Sequence, residues 1–406
     1  MSNAILTLDV ITRESVELFK NTNNFLMSIP TQYDDTYGVE GAKQGDSLRI
    51  RLPNDYIVTD GPGLSVQDTA EQKVVLTVSY QRHIDVGFST HERTLSLDDY
   101  EERILMPQLN ALAGNVAAQI MGGIEPGCCN LVSNTDSSGN IITPTADTFL
   151  SANANLDNNS APTMRRYMTV DPTTDARTAS SLSGLLNPVT EISEQYRRGA
   201  MKNGLGFDWL KDQTVIKHTT GTFSAGTVNG ANQTGLTLTV NAITGTLNQG
   251  DIITIAGVDS VNRITKLDNG TLCQFVVTAN VLSGATSIPI YPAIVPPNPV
   301  DGSVVQYQTV TASPANAATI LLTTPASSVY RKNFGFAPEA LTMATADLVA
   351  PSQGVVEVAR HMYDGISMRM LTSYIPNTDQ LVTRLDVLFG YLFIRPEWIC
   401  VVAASV

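Results

Sequence analysis

Gly45-Asp46-Ser47-Leu48-Arg49-Ile50-Arg51-Leu52-Pro53 alternates strictly, with Leu48, Ile50 and Leu52 on one face and Arg49 and Arg51 on the other. This is the pattern of a strand with one covered and one solvated face. A longer alternation follows, setting Val74, Leu76, Val78, Tyr80, Ile84, Val86 and Phe88 on one side, so the spacing predicts a long hairpin over residues 46–88. The segment between the runs, Pro53 to Lys73, contains Asp60-Gly61-Pro62-Gly63 and is longer than loops within compact domains normally are. Such an arm is unstable alone, so it is expected to lie on a neighbouring subunit. Arg49, Arg51, Asp60, Gly61, Gly63 and Lys73 are the candidate contact residues.

Upstream, residues 9–29 read as a loosely amphipathic helix with Val10, Ile11, Leu18, Phe19, Phe25 and Leu26 at its covered positions. The polar run Asn21-Thr22-Asn23-Asn24 interrupts it and argues for an arm rather than a core helix. Downstream, Ser96-Leu97-Asp98-Asp99 has the form of a helix start, with a hydroxyl cap and carboxylates in the first turn, where the helix dipole favours them. Leu97, Tyr100, Ile104, Leu105, Leu109, Leu112, Val116 and Ile120 then recur at helical spacing until Gly122-Gly123. Pro107 lies inside this run and predicts a kink or break.

Residues 125–212 are mixed, with a strand expected at Tyr167–Val170 and a helical stretch around Val189–Arg198. Composition then shifts. Between Thr219 and Ala318 the charged residues are Asp251, Asp259, Arg263, Lys266, Asp268 and Asp301 alone, among abundant Thr, Val, Ile, Gly and Asn. Short strands such as Leu236–Val240, Ile252–Ile255 and Phe275–Thr278, separated by Gly and Asn turns, predict a small all-β barrel or sandwich inserted into another domain. After Tyr330 the mixed character returns, and the apolar run Val387 to Ile394 reads as two buried strands joined at Gly390.

The bulk numbers limit the function classes. At 406 residues the chain is expected to form two or three structural units. Charged residues make up only 16%, against roughly 25% in ordinary soluble domains, so much of the surface must be neutral or covered by other chains. A net charge of −13 argues against a chain that grips nucleic acid as a whole. It is compatible with an acidic wall that encloses DNA and leaves it free to slide. Cys128, Cys129, Cys273 and Cys400 show neither a disulfide framework nor zinc spacing. Asp9, Arg13, Glu14 and Glu17 interrupt the first apolar stretch, so no signal-peptide core and no membrane span is expected, and a reducing cytosol is the default compartment.

His91-Glu92 lacks the second histidine of a zinc-protease helix, and Asp60-Gly61-Pro62-Gly63 lacks the Gly-Lys-Ser/Thr of a phosphate loop. His83, His218 and His361 have no metal-ligand spacing, and Arg165-Arg166 and Arg197-Arg198 read as solvated or salt-bridged pairs in preference to contacts with DNA or a scaffold. No catalytic residue, cofactor or metal is expected.

The order of these elements resembles the capsid subunits of tailed bacteriophages with the Hong Kong 97-like fold, and in particular short-tailed phage coat proteins that carry an inserted β-barrel. Ile5-Leu6-Thr7 with Val10-Ile11-Thr12-Arg13-Glu14 resembles the N-terminal arm, residues 45–53 the first strand of the extended E-loop, and Leu95 to Tyr100 with Pro107 the spine helix. Glu194 to Gly199 leading to Gly206-Phe207-Asp208 resembles the entry to the central domain, Leu247 to Val258 the inserted barrel, and Thr383 to Trp398 the final strands. The stretch Asn229 to Gly235 is shorter than a loop that some such insertions use between capsomers, so that contact is not carried over.

The resemblance implies an α+β chain divided as N-terminal arm 1–45, E-loop hairpin 46–88, spine helix of the P-domain 89–124, a first P-domain and A-domain part 125–218, inserted β-barrel 219–318, and closing strands of the A- and P-domains 319–406. It implies a major capsid protein that is not an enzyme. Copies would assemble as pentamers and hexamers around double-stranded DNA without reading its sequence. Partners would be a scaffolding protein, a portal and a decoration protein, with assembly in the host cytoplasm and residence in the virion. Lys73 and Asn377 are the candidates for the covalent cross-link of the fold's namesake, but nothing around them marks the required carboxylate, so a noncovalent shell is expected. The alternatives are an encapsulin-like cargo compartment and a β-rich tail or adhesin component; the latter does not explain the helix at 97–121.

Overall fold

A computed structural model describes residues 8–31, 47–59, 61–64, 66–67, 72–89, 105–181, 203–300, 302–349, 351, 357–363 and 365–406. The chain divides into two units: Met1–Leu52, Lys73–Ile120 and Leu341–Ile394 form one; Pro53–Gln72, Met121–Ala340 and Arg395–Val406 form the other.

The first unit is organised on one long strand. Strands β1 (Ser47–Arg51), β2 (Lys73–Thr77) and β3 (Tyr80–Ser89) lie near its start, and β15 (Leu341–Thr345), β16 (Glu357–Tyr363), β17 (Ile366–Ile375) and β18 (Gln380–Phe393) near its end. In the five-stranded sheet β18 pairs with β17, β15 and β3, all antiparallel, and β16 caps the far side of β17. The β3 register runs from Tyr80 opposite Phe389 to Ser89 opposite Gln380. Two expectations are corrected here. The second alternating run is two strands: only Lys73–Thr77 pairs with β1, and beyond Ser79 the chain leaves the hairpin to join β18. Gly390 joins nothing, because β18 passes through it; a Cβ there would strike the Thr77 backbone, so the glycine serves close strand approach.

Helix α1 (Leu8–Thr22) packs on β16 and β17 and buries Val16 and Phe19. The polar interruption after it is a helix cap: Asn23 accepts from the Phe25 and Leu26 amides at 2.9 and 3.1 Å and starts α2 (Asn24–Ser28). Phe25 and Leu26, in the segment expected to be an arm, are completely buried. Helix α3 (Met106–Gly122) buries Leu105, Leu109, Leu112, Val116 and Ile120, as the spacing predicts. Arg82 on β3 donates to Asn115 and Gln119 of this helix at 2.9 and 3.0 Å. Pro107 sits in the first turn of the described helix, where a missing N–H costs least. Ser96 and the expected first turns lie outside the described residues, as do His91, Val189–Arg198 and Asp60.

The second unit holds two sheets. A seven-stranded sheet contains β4 (Asn130–Ser133), β5 (Tyr167–Val170), β6 (Asn203–Gly204), β7 (Phe207–Lys211), β8 (Lys217–Thr219), β14 (Val329–Phe336) and β19 (Ile399–Ser405). It is mixed: β19 with β4 and β5 with β7 are parallel, the other pairs antiparallel. Short α4 (Ile124–Gly127) precedes β4, and α5 (Ala146–Asn158) and α6 (Pro172–Ser181) flank β5 in sequence. Phe149, Leu156, Met168, Phe207, Trp209 and Val402 form one core, with Phe149 edge-on to Trp209 at 4.7 Å.

The charge-poor stretch forms an antiparallel sheet in the order β13 (Ile320–Leu322), β10 (Ile252–Val261), β11 (Asp268–Val277), β12 (Ser287–Ile294), β9 (Gly235–Thr239). Bridges Thr227 to Thr319 and Val228 to Val240 link the two ends of that order, so the pairings run round a ring. Eighteen buried residues, Phe223, Phe275 and Val310 among them, form a core separate from that of the mixed sheet. The strands on either side of this stretch, β8 and β14, are neighbours, with Tyr330 opposite His218. The far boundary is later than the expected Ala318, because β13 pairs with β10 and the chain rejoins the mixed sheet only at Val329.

Candidate interaction surface

In the hairpin Ser47 stands opposite Thr77 and Arg51 opposite Lys73. Ile50, Leu76 and Val78 are buried against Ala344, Ala346 and Ile394, which covers the apolar face inside the first unit. Arg49, Arg51 and Lys73 are exposed on the other face. Placing Arg51 directly across from Lys73 sets like charges opposite each other, an arrangement that works against the pair.

Beyond Arg51 the connecting segment is held by the second unit, to which it belongs. Arg395 donates to the Pro53 carbonyl at 3.3 Å, Tyr307 to the Asn54 side chain at 3.4 Å, and Gln306 to the Asp55 carbonyl at 2.5 Å. The Asp55 carboxylate lies 3.1 Å from Arg263 Nε and 3.6 Å from Lys266 Nζ, and Arg263 also bonds Glu397, which Arg395 meets at 3.3 Å. Past this anchor Gln67 bonds both the amide and the carbonyl of Ile57, closing the loop on itself. Within the loop so closed, Val58, Leu64 and Val66 are 90, 94 and 81% exposed. Gly61 adopts φ +97°, a conformation that a side chain would strain, whereas Gly63 stands in open space.

His218 is buried with its two ring nitrogens 3.0 Å from Glu125 and 2.8 Å from Asp251. Asp251 also accepts from the amides of Gly221 and Asn248 at 3.0 and 2.7 Å. Burial works against the charged form of Glu125, yet the His218 hydrogen bond and the Lys332 charge together hold its carboxyl below the usual range. Arg166 is buried and bonds Asp157 at 2.7 Å, so it braces its own fold. His83 lies 3.4 Å from Asp85, and His361 stands opposite Met368 on β16. All four cysteines are buried and free, and burial pushes the Cys128 and Cys273 thiols up to about 12. Among the described residues no group of three or more His, Cys, Asp or Glu side chains could hold a metal ion, and no helix is long and apolar enough to cross a membrane.

Of the sequence candidates, the structure gathers Arg49, Arg51 and Lys73 on one face of the hairpin and puts Gly61 and Gly63 in the exposed loop. It adds Asp55, Arg263, Lys266 and Glu397, which pattern reading missed because they are distant in sequence. Their one signal was scarcity: Arg263 and Lys266 are the only cations in the hundred-residue neutral stretch.

A family model described as P22 coat protein, gene protein 5, matches residues 31–403. Among solved structures, the chain is similar to one from Mycobacterium phage Che8, at 13% identity and a TM-score of 0.44 over 95% of this chain and 90% of that chain. It is also similar to the capsid of Ralstonia phage GP4, at 6% identity and a TM-score of 0.47 over 89% of this chain and 84% of that chain. The coat protein I-domain of CUS-3 is 27% identical over 25% of this chain and 96% of that chain, with a TM-score of 0.20. No curated protein matches the chain.

Proposed function

This chain belongs to the P22 coat protein family and is the major capsid protein of a tailed bacteriophage, and on that premise we propose how it builds its shell. Copies join head to tail into pentamers and hexamers, contacts that close only when the rotation per subunit is right. The loop at 53–72 lies across a neighbouring copy. The observation that carries this reading is the exposure of Val58, Leu64 and Val66 at 81% or more on a segment whose base is anchored. Arg49, Arg51, Gly61, Gly63 and Lys73 flank that contact and, with Asp60, are its candidate residues. Each contact is weak, and their number per closed shell makes the assembly stable.

The net charge of −13 favours a wall that holds double-stranded DNA without gripping it. A scaffolding protein, a portal and a decoration protein are the further partners, assembly takes place in the host cytoplasm, and the subunit does no catalysis.

The test is the double variant Leu64→Asp/Val66→Asp. Both side chains are exposed in the single subunit, so its melting temperature should stay within about 2 °C of the parent. Shell formation, read by sedimentation and electron microscopy after co-expression with the neighbouring phage genes, should be lost. Normal shells from this variant would remove the loop from the interface.

A further inference from the structure

The base of the loop is gripped within its own chain by the charge-poor β stretch. Pro53, Asn54 and Asp55 are consecutive, and each is bonded by Arg395, Tyr307, Gln306, Arg263 or Lys266. Four of those five side chains come from the β10–β11 turn and the segment leading to β13. Lys266 is the informative member. Its side chain is only 3% exposed and its ammonium has no hydrogen-bond partner, so Asp55 at 3.6 Å is the anion that compensates it. Burial pulls this ammonium below the usual lysine range, and the Asp55 charge pulls it back. Lys266 itself adopts φ +57°, an uncommon conformation for a side chain with a Cβ, held by its amide bond to the Asn262 carbonyl at 2.8 Å. A buried cation in a strained turn is a costly feature for an ordinary surface loop.

We propose that the turn Asn262–Lys266 is an intramolecular bracket: Arg263 and Lys266 clamp Asp55 and so hold the extended loop in the form that a second copy of this chain recognises. The inserted β stretch then has a part in assembly beyond its own stability. It preorganises a segment that would otherwise have to be ordered at the moment of contact. The inference rests on the reading that the loop contacts a neighbour, and the bracket itself can be tested separately.

The experiment uses the full-length soluble subunit and three variants: Asp55→Asn, Lys266→Met and the double variant. Chymotryptic cleavage within residues 56–67 reports release of the loop, and sedimentation reports shell yield. Losing one charge-assisted anchor should speed cleavage about tenfold in Asp55→Asn. Shell yield should fall with it at temperatures where circular dichroism shows the variant still folded, and Lys266→Met, which strands no buried cation, should lose shells with the melting temperature of the subunit kept. The double variant should cleave more slowly than the product of the single effects, because the buried ammonium is no longer stranded. Unchanged cleavage in Asp55→Asn overturns the bracket. Faster cleavage with undiminished shells overturns its part in assembly. If Leu64→Asp/Val66→Asp also forms normal shells, the neighbour contact itself fails, and the cleavage rate alone decides whether the clamp exists.

Discussion

Replacing Asp386 by alanine should destabilise the first unit more than any exposed charge change. Asp386 lies inside β18 with no exposed surface. One carboxylate oxygen takes both Arg369 Nη2 at 2.5 Å and Nε at 3.2 Å; the other takes Arg384 Nε at 2.8 Å and Gln81 Nε2 at 3.3 Å. Removing it leaves the Arg369 guanidinium without its carboxylate and Arg384 with Asp85 alone, 3.8 Å away. Breaking a buried pair from one side costs about 3–5 kcal/mol. The Arg384 side chain is 31% exposed and can rehydrate, so the low end, about 3 kcal/mol, applies. For a cooperative unit of roughly 150–250 residues that lowers the melting temperature by about 6–12 °C.

The pH dependence has a definite sign. Burial disfavours the charged form of Asp386, but the Arg369 and Arg384 hydrogen bonds outweigh it and hold the carboxyl below its usual range. A carboxyl depressed in the folded state stabilises fully above its unfolded value, about 4, and loses that stabilisation as pH falls through the folded value. Thermal unfolding of the parent should therefore weaken below about pH 4, and Asp386→Ala should show less of this acid dependence. Adding Arg369→Met should recover part of the loss, since the better buried of the two cations is then gone. A melting temperature within about 2 °C of the parent for Asp386→Ala, or strict additivity in the double variant, would refute the reasoning.

Three further outcomes follow from the packing. Gly390→Ala should lower stability by roughly 1–3 kcal/mol in urea titration, because its Cβ meets Thr77 backbone rather than a movable side chain. Phe275→Ala, which empties the centre of the β stretch, should cost about 3–5 kcal/mol, with intrinsic fluorescence reporting whether the mixed sheet survives. All four thiols should resist Ellman's reagent in the folded subunit at pH 8 and react on unfolding, because burial raises them far above that pH; rapid labelling without denaturant contradicts the burial.

What could be read from the sequence were the features carried by short periods. Leu48-Arg49-Ile50-Arg51 announced β1, the repeat from Leu105 to Ile120 announced the buried face of α3, and the loss of charge after Thr219 marked a β stretch with its own core. Each depends on neighbours within a few residues, so alternation and helical spacing record which face is covered. Three differences between pattern and structure share one cause. The alternation runs on past Thr77 although the pairing does not, Gly390 looks like a junction although β18 passes through it, and Asn21–Asn24 looks like an interruption although Asn23 is a helix cap, because a local pattern does not say which partner covers a face. Ser79 ends one pairing because β18 offers ten residues of register to β3.

The interaction surface was half legible. Arg49, Arg51, Lys73 and the glycine tip follow from local pattern, while the clamp on Asp55 joins residues 208 positions apart in the chain. By itself the sequence determined the first strand of the hairpin, the buried face of the central helix and the charge-poor β stretch. Only the tertiary structure decided that Arg263 and Lys266 meet Asp55, since an ion pair between distant residues leaves no periodicity and exists only after the backbone has brought both charges to one buried place.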